Sequence, residues 1–289
     1  MLMHTPKKQD IIKLYVHFRA TEKANHLYRK SWIFMQTKTA PIPISESYTL
    51  LEDTERDRTI YKAYHNQEQQ LVVLRKLRQT DQAIFRGTRE AEFFRHLKHP
   101  HLPQILEFIE IDDELYVVTP FIPGKSFQQL LSEKKCFSGQ QLLLWGMQLC
   151  SALAYLHSQK IFIHKDIQPS DILLTPEGSI CLVDFRVFLS PGRRPVSELR
   201  SRRSDIYKIG TSLYHLALGE RYSPLEQDNK MDELARILGA PFASVIKKAT
   251  DRNPSKRFPS AKAMLKSLKS IPRQDRRYCD LLYDIKPDR

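Results

Sequence analysis

Apolar and polar positions alternate through the first half of the chain and repeat at helical spacing through the second. The runs Tyr48–Glu52, Thr59–Tyr64 and Gln70–Leu77 alternate or cluster strand-forming residues, with Asn66, Gln67 and Glu68 as a turn, and predict an antiparallel sheet. Residues 88–98 carry apolar positions at helical spacing, and His99–Pro100 ends that helix because proline cannot donate and disfavours helix before it. Glu107–Glu110 and Glu114–Phe121 flank Asp112–Asp113 as a hairpin. Past residue 124 the pattern changes. Ser138 and Gln141 predict a capping box for a helix whose stripe is Leu142, Trp145, Leu149, Ala152, Leu153 and Leu156. Further helices are predicted over Asp205–Leu218, Met231–Leu238, Phe242–Ala249 and Ser260–Leu268. A β-rich half joined to a helical half near Ile122–Gly124 predicts an α+β, bilobed layout.

Composition narrows this picture. The 289 residues suffice for one bilobed enzyme or two small domains, and 41% hydrophobic with 27% charged residues fits a soluble globular protein. No apolar run is long enough to span a bilayer, and Met1 to Asp10 lacks a signal-peptide core. Cys136, Cys150, Cys181 and Cys279 are scattered without metal spacing, so they read as reduced, mostly buried thiols of a cytoplasmic protein. The formal charge of +13 favours anionic partners or solubility. Residues 1–45 form a basic N-terminal extension that closes on a proline-rich linker, Ala40–Pro41–Ile42–Pro43–Ile44. Residues 272–289 form a basic C-terminal tail, leaving 46–122 and 123–271 as the two lobes.

The chemistry concentrates in two runs, Ile163–Leu174 (IHKDIQPSDILL) and Leu182–Arg186 (LVDFR), at the spacing of a strand, a turn and a strand. They resemble the catalytic loop and the metal-binding loop of the protein kinase family. Other segments resemble that family in the same order. They are LVVLRKL at the β3 lysine, REAEFFRHLKHPHL at the helix-C glutamate, LYVVTPFIPG at the hinge, SDIYKIGTSLYHLALGE at the C-lobe helix and DRNPSKRFPSA at its closing segment. The compact phrase SDIYKIGTSLYHLALG resembles bacterial members.

The resemblance implies a Ser/Thr-kinase-like fold with ATP and Mg²⁺ as cofactors. Asp166 would accept the substrate hydroxyl's proton, beside Lys165 in place of the usual arginine, and Asp184 would hold Mg²⁺. Arg75 stands at the lysine that pairs with Glu90. Arginine keeps the charge but is longer and planar. Ile60, Val73 and Leu173 would sandwich a purine, behind Thr119 as gatekeeper. The carbonyl of Pro120 and the backbone of Ile122 would meet its edge. The same apolar residues equally fill a closed cleft. Phe94, Ile105, His164 and Phe185 would form the family's internal apolar column, and Asp205 and Arg257 would be structural.

The departures from the family fall on phosphate handling. Residues 53–58 (DTERDR) replace the Gly-rich loop whose backbone approaches the phosphates. Gln168 replaces the lysine that meets the transferred phosphate. Asp171 replaces the asparagine at the second Mg²⁺, and Arg186 the glycine after Asp–Phe. Arg193, Arg194, Arg200, Arg202 and Arg203 crowd residues 190–204, the expected activation segment. They form either a solvated face or an anion dock for a partner. Two readings follow: a pseudokinase scaffold or regulator that signals through a protein partner, and a divergent active Ser/Thr kinase. A small-molecule phosphotransferase rests on the HxDxxP run alone, and a nucleic-acid binder on net charge alone.

Overall fold

Strand-forming alternation produces strands where it is strongest. The computed structural model describes residues 42–43, 45–53, 59–77, 79, 82, 85, 89–159, 167–183, 198–223 and 227–272. The chain divides into two compact units, Met1–Val72 and Val73–Arg289.

In the first unit β1 (Ile42–Pro43), β2 (Tyr48–Asp53) and β3 (Ile60–His65) pair antiparallel. Tyr48 faces His65 and Leu50 faces Ala63, and the register then shifts between Leu50 and Glu52. Tyr48, Leu51, Ala63 and Tyr64 are buried. The turn after β3 is held by Asn66: its Oδ1 accepts from the Thr49 hydroxyl at 3.0 Å and its Nδ2 donates to the Glu46 carbonyl at 3.0 Å. The proline-rich stretch is not wholly a linker. Ile42 and Pro43 pair with Leu50 and Thr49 as an edge strand, where a missing N–H is tolerated.

β4 (Gln70–Lys76) carries the chain into the second unit. There α1 (Arg89–Arg95) is followed by β5 (Glu107–Ile111) and β6 (Glu114–Pro120), an antiparallel hairpin with β6 next to β4. Asp112 and Asp113 turn that hairpin at φ of 50° and 61°, the left-handed region that aspartate tolerates better than bulky residues. A smaller sheet joins β7 (Lys125–Ser126), β8 (Ile172–Leu174) and β9 (Ile180–Leu182).

The helical part centres on α3 (Gly139–Ser158). The Ser138 hydroxyl accepts the Gln141 N–H and the Gln141 side chain accepts the Ser138 N–H, the predicted capping box. The whole predicted stripe of α3 is buried. The short helix α2 (Phe127–Ser132) starts from a second such box, Ser126 with Gln129. Around α3 pack α4 (Glu198–Leu218), α5 (Gln227–Leu238) and α7 (Ala261–Lys269), with α6 (Ala240–Ala249) against α4. Helix α4 begins seven residues before the predicted Asp205, inside the segment expected to be an activation loop. Trp145 fills the centre, 4.8 Å from Phe127 and 5.2 Å from Phe137, and its indole N–H donates to the Gly178 carbonyl.

Cys150 and Cys181 are buried free thiols, whereas Cys136 is exposed. Burial raises the Cys150 thiol far above its ordinary range and pushes Cys181 up to about 12. Among the described residues no helix is long and apolar enough to cross a membrane.

Candidate functional site

The run from Ile163 to Leu174 follows α3 in the sequence and ends in β8. Lys165, Asp166, His164, Asp184, Phe185 and Arg186 lie outside the described residues, as do residues 54–58, Arg193 and Arg194. The side chains of Glu90 and Arg200 also lie outside them, although both backbones are helical. What the structure describes is the frame on either side of the predicted catalytic and metal loops.

That frame is polar, buried and tied to α4. At the end of α3, the His157 Nε2–H donates to Asp205 Oδ2 of α4 at 2.8 Å, with His157 5% and Asp205 0% exposed. A carboxylate this deep is stable only when hydrogen-bonded, and the imidazole supplies one partner. Two turns further along α4, the Ser212 hydroxyl donates to the Ile167 carbonyl at 2.8 Å. Asp205 and Ser212 are seven residues apart, so they share one helix face. That face therefore grips both the helix that leads into the catalytic run and the residue that follows Asp166.

The chain then makes a tight 3₁₀ turn at Pro169–Asp171. The Asp171 N–H donates to the Gln168 carbonyl at 2.9 Å, and the Gln168 N–H returns to Asp171 Oδ2 at 2.9 Å. The Ser170 hydroxyl donates to Asp171 Oδ1 at 3.0 Å. A carboxylate offers about four lone-pair sites. Asp171 therefore spends part of its acceptor capacity on its own turn. Its carbonyl accepts the Val183 N–H at 2.8 Å. Val183 directly precedes Asp184, so the two predicted metal positions are joined through a single backbone bond. The Leu182 N–H donates in turn to the His101 carbonyl at 2.9 Å. Among the described residues no group of three or more His, Cys, Asp or Glu could hold a metal ion by itself.

The predicted nucleotide residues are distributed as follows. Ile60 is buried on β3 of the first unit. In the second unit Val73 is half-buried on β4, and Thr119 and Arg75 are each 8% exposed. By strand alternation Arg75 and Lys76 point to opposite faces of β4. Lys76 pairs with Glu114 at 2.9 Å, while Arg75 turns inward. Pro120 ends β6, and Ile122 and Leu173 are half-buried. Phe94 and Ile105, half of the expected apolar column, are both buried in the core.

Arg257, expected to be structural, lies between the Asp251 turn and α4. Its Nε donates to the Asp251 carbonyl at 2.7 Å and its Nη1 to the Arg203 carbonyl at 3.2 Å, with the guanidinium 4.4 Å from the Tyr207 ring centroid. Arg202 and Arg203 are half-buried on α4 rather than displayed as an open row. Sequence reasoning missed His157 and Ser212. The available signal was spacing: His157 falls four residues after Leu153 on the apolar stripe, and Ser212 seven after Asp205.

Comparison with known proteins agrees with this frame. Residues 58–189 match the family model described as the protein kinase domain. The chain is 32% identical over 246 residues to serine/threonine-protein kinase 36 of Pongo abelii, covering 78% of this chain and 18% of that protein. It is 34% identical over 181 residues to serine/threonine-protein kinase 36 of Mus musculus, covering 55% and 14%. It is 28% identical over 211 residues to serine/threonine-protein kinase C of Synechocystis sp., covering 62% and 39%. The chain thus spans less than a fifth of the length of the two mammalian relatives. Rad53 1-466 in complex with AMP-PNP has a similar structure, with a TM-score of 0.59 at 17% identity over 80% of this chain and 64% of that one. The fold is the α+β kinase fold, a β-sheet lobe with a helical one, and the chain belongs to the protein kinase family.

Proposed function

We propose that this chain is a kinase-domain scaffold or regulator that transfers phosphate weakly or not at all. The observation that carries this reading is the Gln168–Asp171 turn. A neutral, exposed glutamine occupies the position of a phosphate-binding cation, and the neighbouring Asp171 carboxylate caps its own turn. Phosphoryl transfer depends on fixed positive charge around the transferred group. Residues 53–58 add acidic side chains where the family places glycines, and Arg75 replaces a lysine point charge.

The adenine side supports weak nucleotide binding. By the family pattern Ile60, Val73 and Leu173 take the purine, Pro120 and Ile122 meet its edge beside Thr119, and Arg75 pairs with Glu90. The similar structure of Rad53 is a complex with AMP-PNP, which supports an adenine nucleotide here too. Mg²⁺ and ATP would supply a transferable phosphoryl group, with Asp184 and Asp171 as the metal's carboxylates. Asp166, flanked by Lys165, would take a hydroxyl proton. The lobes are 46–122 and 123–271, between the extensions 1–45 and 272–289. The partner is a cytoplasmic protein, with Arg193, Arg194, Arg200, Arg202 and Arg203 as a dock for its anionic groups.

A second reading, a divergent active Ser/Thr kinase, is favoured by the intact frame in which α4 holds both sides of the catalytic run. Radiolabelled autophosphorylation decides between them. The scaffold reading expects incorporation indistinguishable from that of Asp166→Asn and Asp184→Asn. Incorporation that either substitution abolishes overturns it. Thermal shift with ATP, with and without Mg²⁺, tests the cofactor: no shift at millimolar nucleotide removes it from both readings.

A further inference from the structure

Helices α3 and α7 flank an open cavity of about 460 Å³ that contains none of the predicted nucleotide or catalytic residues. Its apolar lining is Leu143 and Met147 from α3, Leu265 and Leu268 from α7, and Ile271 just beyond. Its polar lining is nearly all committed. Gln148 donates to the Ser179 hydroxyl at 3.2 Å and accepts the Ile180 N–H at 3.0 Å. Ser151 is engaged by His99 Nε2 at 3.1 Å, and His101 Nδ1 by the Ile180 carbonyl at 3.1 Å. Lys269 remains. It is exposed at the rim, the one lining residue with a permanent charge, and has no ion pair among the described residues.

The surroundings reinforce that charge. Helix α3 has no Asp, Glu, Lys or Arg along its whole length, and from Arg252 to Pro272 there are cations but no carboxylate. The cavity is thus an open slot, more apolar than polar, with an uncompensated ammonium at its mouth. Its volume lies within the range of small-molecule sites.

We infer that this cavity binds a small amphiphilic carboxylate, its apolar chain between α3 and α7 and its anionic head on Lys269. Charge complementarity selects this occupant. A cationic amphiphile would meet Lys269 with no acid to offset the repulsion, and a neutral one would leave the ammonium unused. The site also bears on the kinase frame. The His101 carbonyl accepts the N–H of Leu182, two residues before Asp184, so occupancy reaches the strand that leads to the metal loop.

The test is calorimetric titration of the full chain with sodium decanoate, below the concentration at which it forms micelles, with decylamine as the same chain bearing the opposite charge. The expected result is saturable binding of one decanoate per chain and none of decylamine. Lys269→Met should weaken decanoate binding by about tenfold or more, as loss of a charge-assisted contact does. Leu265→Trp, at a half-buried wall position, should abolish it by filling the slot, and Met147→Trp repeats this from the opposite wall. The inference is overturned by no saturable binding, by decylamine binding as well as decanoate, or by Lys269→Met leaving the affinity unchanged.

Discussion

His157 and Asp205 meet at 2.8 Å across α3 and α4, and neither side chain is more than 5% exposed. Removing one partner takes a hydrogen bond from the other at a site that is almost wholly buried. Asp205→Ala is expected to cost about 3 kcal/mol, the range for breaking a buried hydrogen bond to a charged group or one half of a buried pair. Urea denaturation measures it. A loss under about 1 kcal/mol would refute this cost and leave only the contribution of an ordinary hydrogen bond.

Close approach of α4 to α6 gives a second prediction. A Cβ on Gly210 would lie 2.8 Å from Thr250 Cγ2 and 2.9 Å from Ala249 Cβ. Alanine in a helix interior normally gains about 1 kcal/mol over glycine. Here overpacking, which costs about 1–3 kcal/mol, opposes that gain. Gly210→Ala should therefore lower the melting temperature rather than raise it, and a more stable variant would refute the packing argument.

Acid should weaken the second unit. Burial, and secondarily His101, lower His99 below the ordinary 6.5. Burial lowers His101 despite its Ile180 carbonyl partner, and burial with Arg221 lowers His215. His99 Nδ1 accepts the His101 N–H at 3.2 Å, so protonating it removes that bond. Below 6.5 the unfolded chain binds these protons before the folded chain does, so stability falls as pH drops from 6.5 through the lowered folded values. Denaturant midpoints between pH 5 and 8 measure the slope. His99→Gln with His101→Gln should flatten it, and an unchanged slope would assign it to other groups.

Thiol chemistry separates the cysteines by burial. In a Cys279→Ser background, Cys136 should react with a disulfide reagent at once, while Cys150 and Cys181 react only on unfolding. Prompt reaction of more than one thiol in the folded protein would contradict the buried placement of α3 and β9.

The legible part of the fold was the part that announces itself locally. Ser138, Gln141 and the six-residue apolar stripe specify α3 from its cap onward, and Asp112–Asp113 mark their hairpin. The start of α4 was obscured by the family pattern: Arg200, Arg202 and Arg203 are good helix formers, but the resemblance placed them in the activation segment. Helix α2 is too short to show a period, although its Ser126–Gln129 box was there to be read. At the site, Asp171 and Asp205 were legible as motif positions. The pairing of His157 with Asp205, 48 residues apart, became visible only in three dimensions, because the α3 stripe shows where His157 lies but not which residue it meets.

The uncharged length of α3 has a consequence for synthesis. Its apolar stripe is complete at Ser158, but α7, which covers part of it, ends at Lys269, roughly 110 residues later. At translation rates of about 5–20 residues per second, the ribosome extrudes a sticky helix roughly 6–22 s before its cover exists. Until then the stripe of α3 lacks that part of its cover.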